Sequence, residues 1–398
     1  MRSIKTVFKI GQGPSSSHTV GPFAAAKLIK KRYPEATNYK VILYGSLAMT
    51  GGGHGTMNAI KKVLPSIEIE LNKDTKDIPH PNTMDFFAYK DGNEIGKLRI
   101  LSVGGGIIEV CGEEHPLDKN IYSQNNFSEV LDYCKQHNIT IPEFVYMHED
   151  EKIKKYLMKM WKAMEECIER GLNCEGVLPG GLEITRKAKM LYDAKIDNES
   201  NDIKMNRIIS AFSYAACEEN ASEGLVVTAP TCGSCGVIPS VMYFYKKTKG
   251  YTDEQIIDAL AVCALVGDVI ITNASVSGAE CGCQAEIGSA CSMAAAGLAH
   301  LFGLNLDQIE YAAEVAMEHN LGLTCDPVKG LVQIPCIERN AVAAMRAINS
   351  VNLSLFLYKT RRISFDSVIE TMYRTGLDMN DKYRETSNGG LAVIYKEK

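Results

Sequence analysis

The sequence predicts an α+β N-terminal domain followed by an all-α domain. Strand-like alternation is confined to the first part of the chain, it fades from about Ser128 onward, and a series of alanine-rich, helix-periodic segments follows. At 398 residues the chain exceeds one ordinary core, which sets an expectation of two domains. They are expected at 1–150 and 176–398, with 151–175 as a helical linker.

In order along the chain, Thr19 to Arg32 has helical spacing behind a Gly-Pro start. Lys40 to Tyr44 is a short β-rich run, and His54 to Leu64 reads as a second helix. Ser66 to Leu71 alternates Ile, Glu, Ile, Glu, Leu as a half-buried strand does, and Phe86 to Tyr89 and Lys97 to Val103 add two more strands. Glu151 to Arg170 is a charged amphipathic helix. Seven helical stretches follow: Asn206–Glu219, Val237–Tyr245, Asp253–Val266, Ser289–Leu301, Leu306–Met317, Asn340–Val351 and Phe365–Thr375. Their loops are rich in Gly, Pro, Cys and Asn, the composition of a scaffold that presents a site from its loops.

A formal net charge of -5 and a charged fraction of 23% give no reason to expect nucleic acid or an anionic membrane as partner. The start MRSIKTVFKIGQG lacks the long apolar core of a secretory signal, and the run Ala259 to Ile271 is interrupted by Asp268, so no membrane span is expected. The 13 cysteines form an odd set without a signal peptide, which argues for free thiols in a reducing cytoplasm. Cys111, Cys134, Cys167 and Cys263 sit singly in apolar or amphipathic surroundings and read as small hydrophobes. Cys281, Cys283, Cys325 and Cys336 sit among glycines, prolines and charges and ask for another reason.

Three segments could carry chemistry. GPSSSHT, Gly13 to Thr19, puts three hydroxyls, a histidine and a threonine just before a helix, which suits an anion such as a carboxylate; an ordinary N-cap is the even alternative. GSLAMTGGGHGT, Gly45 to Thr56, places a glycine run before His54, where the backbone either approaches a ligand closely or simply turns. In SGAECGCQAEIGSAC, LTCDP and IPCIERN, Cys283, Cys325 and Cys336 are loop thiols suited to an iron–sulfur cluster with one iron left open. A zinc site usually shows repeated close cysteine pairs, and only Cys232 and Cys235 have that two-to-four spacing outside the CGC run.

At these residues the sequence resembles the iron–sulfur-dependent L-serine dehydratases, or L-serine ammonia-lyases, in their single-chain form. The likeness runs through FKIGQGPSSSHTVGP, LYGSLAMTGGGHGT, HPNTMDF, SVGGGII, EGVLPGG, VVTAPTCGSCGVIP, SGAECGCQAEIGSACSMAAAGLA, EHNLGLTCDPVKGLVQIPCIERNA and DMNDKYRETSNGGLA, nearly the whole chain. The resemblance implies an α+β domain joined to an all-helical catalytic domain, a 4Fe-4S cluster on Cys283, Cys325 and Cys336, and L-serine as the small-molecule substrate. A cytoplasmic homo-oligomer, a dimer, is expected. The resemblance identifies Ser15, Ser16, Ser17, His18 and Thr19 as a substrate-binding loop, with His54 and Asn82 as neighbours of the site. His18, His54 and Ser16 are the catalytic candidates; histidine titrates near neutrality, and an activated hydroxyl of Ser15 to Ser17 is the other choice of base. Arg339, Lys382 and Arg384 are cationic candidates for carboxylate or cluster contacts.

Two departures stand out. Cys232 replaces the asparagine usual in TAPTNG, which makes it a candidate fourth ligand, and the tail Leu391 to Lys398 has no cysteine to offer the cluster. The rival readings are a pyridoxal-phosphate dehydratase, for which the sequence shows no convincing lysine and phosphate cradle, and a non-catalytic iron–sulfur or zinc-binding sensor.

Overall fold

The computed structural model describes residues 1–73, 76–113 and 120–396. The chain opens with β1 (Lys9–Gln12), a turn through Ser16–Val20, α1 (Gly21–Arg32), β2 (Asn38–Tyr44), α2 (Gly45–Thr50), α3 (Thr56–Val63) and β3 (Glu68–Asn72). Then come β4 (Thr83–Lys90), β5 (Asn93–Gly104) and β6 (Ile107–Val110). The five later strands form one sheet in the order β3-β2-β4-β5-β6, with β2 and β3 parallel and the other pairs antiparallel. A parallel neighbour needs a crossover, which α2 and α3 provide. α1 and α3 cover one face of the sheet, closing a core of Ala25, Ile29, Val41, Leu43, Ile60, Met84, Phe86 and Ile100. Along β5, Leu98, Ile100 and Ser102 alternate inward, so the period of two places Ser102 beside the turn that carries Ser17.

The helical half contains α4 (Phe127–His137), α5 (Ile141–His148), α6 (Ile153–Leu172), α7 (Ala188–Asp193) and α8 (Asn201–Ala221). After β7 (Leu225–Thr228) it continues with α9 (Val237–Lys249), α10 (Asp253–Asn273), α11 (Gly278–Cys281), α12 (Ser289–Leu301) and α13 (Leu306–Glu318). It ends with α14 (Cys336–Leu357), α15 (Phe365–Asp378) and α16 (Gly390–Ile394). α6 is amphipathic as expected: Leu157, Met160, Trp161, Met164 and Ile168 are buried at three- and four-residue spacing. α12 is enclosed by α9, α10, α13 and α14, and its Ala, Ser and Gly side chains let them come close. A Cβ at Gly297 would stand 2.3 Å from the Cys263 sulfur, so any larger residue there would push α10 away.

The α+β domain and the all-α domain are thus both present. β1 departs from the sequence reading: it pairs antiparallel with β7, Lys9 opposite Thr228 and Gln12 opposite Leu225, and so joins the start of the chain to the helical half. Two helices, Asp253–Asn273 and Cys336–Thr360, are long and apolar enough to cross a membrane by length and composition. In the first, 78% of the apolar window is buried inside the fold, as a core helix requires. The sequence reading found no such stretch because it took Asp268 as a break; that carboxylate is enclosed within α10.

Candidate active site

The junction of the sheet domain and the helical half brings together residues far apart in sequence. Ser15 accepts a hydrogen bond from the His18 amide at 3.1 Å, and the chain turns through Ser16–Val20 directly into α1. Ser16, Ser17, His18 and Thr19 are all buried. Thr19 Oγ1 donates to the His54 carbonyl at 2.7 Å and Thr56 Oγ1 to the His18 carbonyl at 2.6 Å, so the two histidine segments fix one another. β2 enters α2 at Gly45 with φ of 52°, a left-handed conformation that glycine adopts without strain. That bend brings Ser46 and Thr50 against His18.

The hydroxyl network assigns the His18 tautomer. Thr50 Oγ1 donates to the Ser46 carbonyl and Ser46 Oγ donates to the Glu385 carbonyl, so each has spent its one proton. Both oxygens lie near His18 Nε2, at 3.0 Å for Ser46 and 3.1 Å for Thr50, and both are left to accept from it. Nδ1 is then the acceptor for Ser17 Oγ at 2.9 Å. His54 differs: its Nδ1 meets no partner in good hydrogen-bond geometry, although the residue is only 1% exposed, and the ring interacts with the Thr50 carbonyl alone of the nearby backbone. Burial holds His18 well below the usual histidine value and lowers His54 to about 4, so both rings are neutral near pH 7.

Beside the His54 ring lies a small cavity. Ser15, His54, Gly233, Glu286 and Glu385 line it together with Cys283, Cys325 and Cys336. Cys283 follows α11, Cys325 sits in the loop after α13, and Cys336 opens α14. A hydrogen bond from the Cys325 thiol, helped by the Arg339 charge, draws Cys283 below the usual thiol value. Cys325 gives that bond and is pushed well above it, and burial raises Cys336 in the same direction. Arg339 is itself held by the Thr324 carbonyl and Asp326.

Among the described residues, the one set of three His, Cys, Asp or Glu ligands whose donor atoms all lie within 4.8 Å of one another is His18, His54 and Glu385. The three thiols are therefore not all gathered within reach of a single ion, although Cys283 and Cys325 are in hydrogen-bond contact. With a cation beside Cys283 and a shared cavity, the three thiols are the donor type that an iron–sulfur group takes.

Of the residues singled out from sequence, Ser15, His54 and the three cysteines meet at the cavity, while Ser16, Ser17, His18 and Thr19 stand behind it. Asn82 is buried beside Ser102, its Nδ2 donating to the Ser102 carbonyl at 3.4 Å, and its Oδ1 has no partner. Cys232 is fully buried, and its neighbour Gly233 is the one that lines the cavity. Arg384 pairs with Asp381 and donates to the Glu280 carbonyl, and Lys382 lies over the Tyr383 ring.

Sequence reading missed Ser46, Thr50, Glu286, Asn340 and Glu385. Asn340 accepts from the Gly236 amide at 3.0 Å and donates to the Gly233 and Cys336 carbonyls, both at 2.8 Å, tying the turn at the cavity wall to the start of α14. Glu286 takes the Thr231 hydroxyl at 2.8 Å. Glu385 lies inside DMNDKYRETSNGGLA, a stretch whose only sequence signal was its likeness to the family.

Comparison with known proteins identifies the family. The family model described as serine dehydratase alpha chain matches residues 56–392, and the serine dehydratase beta chain model matches residues 3–72. The L-serine dehydratase of Haemophilus influenzae is 41% identical, and L-serine dehydratase TdcG of Escherichia coli is 43% identical, each match covering 99% of both chains. The L-serine dehydratase of Helicobacter pylori is 39% identical over 99% of both chains. With likeness of that extent across both halves and the junction between them, the chain belongs to the serine dehydratase family.

Proposed function

We propose that this protein is an L-serine ammonia-lyase that converts L-serine to pyruvate and ammonia, with Cys283, Cys325 and Cys336 as the thiolates of a 4Fe-4S cluster. The observation that carries the reading is the single cavity shared by Ser15, His54 and the three thiols. When bound, such a cluster supplies an iron with an open position, a Lewis acid that eases departure of the serine hydroxyl.

The chain's own residues account for the rest. Ser15 and the amides that begin the turn at Ser16 face the substrate carboxylate, where a helical N-terminus favours negative charge. His54, whose ring lines the cavity, takes the α-proton; it is neutral near pH 7 because burial lowers it to about 4. Ser17, Ser46 and Thr50 occupy both nitrogens of His18, which makes that ring the support for the turn rather than the base. Loss of the α-proton and of hydroxide, taken up as water, leaves aminoacrylate. Its tautomer, the imine, adds water and releases ammonia and pyruvate.

Anaerobically purified protein is expected to be brown, to contain about four irons per chain, and to form pyruvate from L-serine until exposed to air. Colourless protein that turns over serine with bound pyridoxal phosphate would remove the cluster from the account, and iron-loaded protein that forms no pyruvate would favour a sensor.

A further inference from the structure

Glu385 is the cavity residue for which the reaction above has no task. It is 5% exposed, yet Oε2 has no hydrogen-bond partner. Oε1 lies 3.5 Å from His18 Nδ1 and 3.8 Å from His54 Nε2, too long for either hydrogen bond. His18 Nδ1 already accepts from Ser17, so it has no proton to give. Arg339, the cation of the site, is engaged with Thr324, Asp326 and Cys283. The other carboxylate, Glu286, accepts from the Thr231 hydroxyl on Oε1 at 2.8 Å.

The backbone at Glu385 is held with unusual care. Its φ is 56°, a left-handed conformation costly for a residue with a side chain. The Glu385 amide donates to the Cys325 carbonyl at 2.8 Å, and its carbonyl accepts from Ser46 Oγ at 3.1 Å. Both halves of the protein therefore fix this one carboxylate, and they aim it into the cavity with a side unsatisfied. The Ala279 amide is a donor to this side chain, yet Oε2 is left without one and burial holds the group well above the usual carboxylate range; a ligand that brings a positive charge and several N–H groups relieves that cost and favours the ionised form.

We propose that Glu385 binds the α-ammonium group of the substrate, so that the site selects an α-amino acid over the same acid without its amine. This rests on the lyase reading, in which the substrate carries an ammonium beside the carbon that loses its proton. An ammonium has three donors, enough for Glu385 Oε2 with donors to spare for neighbouring acceptors. Held there, the substrate has its carboxylate toward Ser15 and its α-hydrogen toward His54.

The test uses anaerobic, iron-loaded protein and two unreactive ligands, L-alanine and propionate, which differ only in the amino group. Their affinities are measured by calorimetry and by competition against L-serine in wild type, Glu385→Gln, Glu385→Asp and Glu286→Gln. Wild type is expected to prefer L-alanine by about tenfold or more, and Glu385→Gln to bring the two ligands within roughly threefold while propionate binding holds. Glu385→Asp, which keeps the charge, should retain part of the preference. A Glu385→Gln protein that keeps the full preference and loses only kcat would overturn the proposal and make Glu385 a positioning residue for the histidines. Loss of preference in Glu286→Gln alone would overturn it in favour of that carboxylate, as would a wild type with no preference. Because the readout is binding, a wild type that selects L-alanine through Glu385 without forming pyruvate would sustain this inference and defeat the lyase reading.

Discussion

The rings of His18 and His54 stand 4.5 Å apart between centroids, tilted by 45°, yet they have unequal sets of partners. Three hydroxyls surround His18, and His54 keeps a bare nitrogen. Replacing each should therefore do different things. His54→Ala is expected to lower kcat by roughly 10²- to 10⁴-fold with little change in melting temperature. His18→Ala removes the acceptor of the Ser17 hydroxyl and leaves a void beside Ser46 and Thr50, and should cost about 2–3 kcal/mol of stability besides activity. Turnover and thermal melts on the same preparations check both; a stable, active His54→Ala protein would remove it as the base.

Cys232 and Cys283 are both buried thiols, but only Cys283 reaches the cavity wall. Cys283→Ser is expected to lose the cluster, and Cys232→Asn, which restores the asparagine common in the family, to keep about four irons per chain. Iron analysis and visible absorbance decide; an altered cluster spectrum in Cys232→Asn would instead mark a fourth thiolate.

Asp268 offers a test independent of the site. Both its carboxylate oxygens lack a hydrogen-bond partner inside α10, and burial pushes the group up to about 8. The folded protein thus binds this proton more tightly than the unfolded chain. The associated stability is fully present below the ordinary carboxylate range and is lost as pH rises through about 8. Between pH 7 and 9 wild type should lose about 1.4 kcal/mol from this group, and Asp268→Asn should lack that slope. Thermal melts across that interval would show it; parallel slopes for the two proteins would refute it.

The helices and the central strands were legible because each carries its own period. Ser289–Leu301 was read to the residue, and α6 was recognised from its charged and apolar faces. β1 and β7 were not, because four-residue strands such as Lys9–Gln12 and Leu225–Thr228 are too short to show an alternation, and their pairing is long-range. α2 was hidden by the glycines flanking it, which read as a loop. The cavity was legible where chemistry marks a residue by type: thiols among glycines, a histidine after a glycine run, serines before a helix. Glu385, Glu286 and Asn340 were missed because nothing local separates a buried Glu or Asn from a solvated one. Their roles come from burial, from a left-handed backbone and from partners in distant segments.

The clamp at Glu385 also bears on how the protein is made. Ser46 and Glu385, which meet in it, are 339 residues apart. At about 5–20 residues per second, a ribosome takes roughly 20 to 70 s to travel between them. Throughout that interval the hydroxyl turn, the histidines and the cysteines already made stand without the segment that closes over them. The pocket is therefore complete only when the Glu385 segment has left the ribosome and docked.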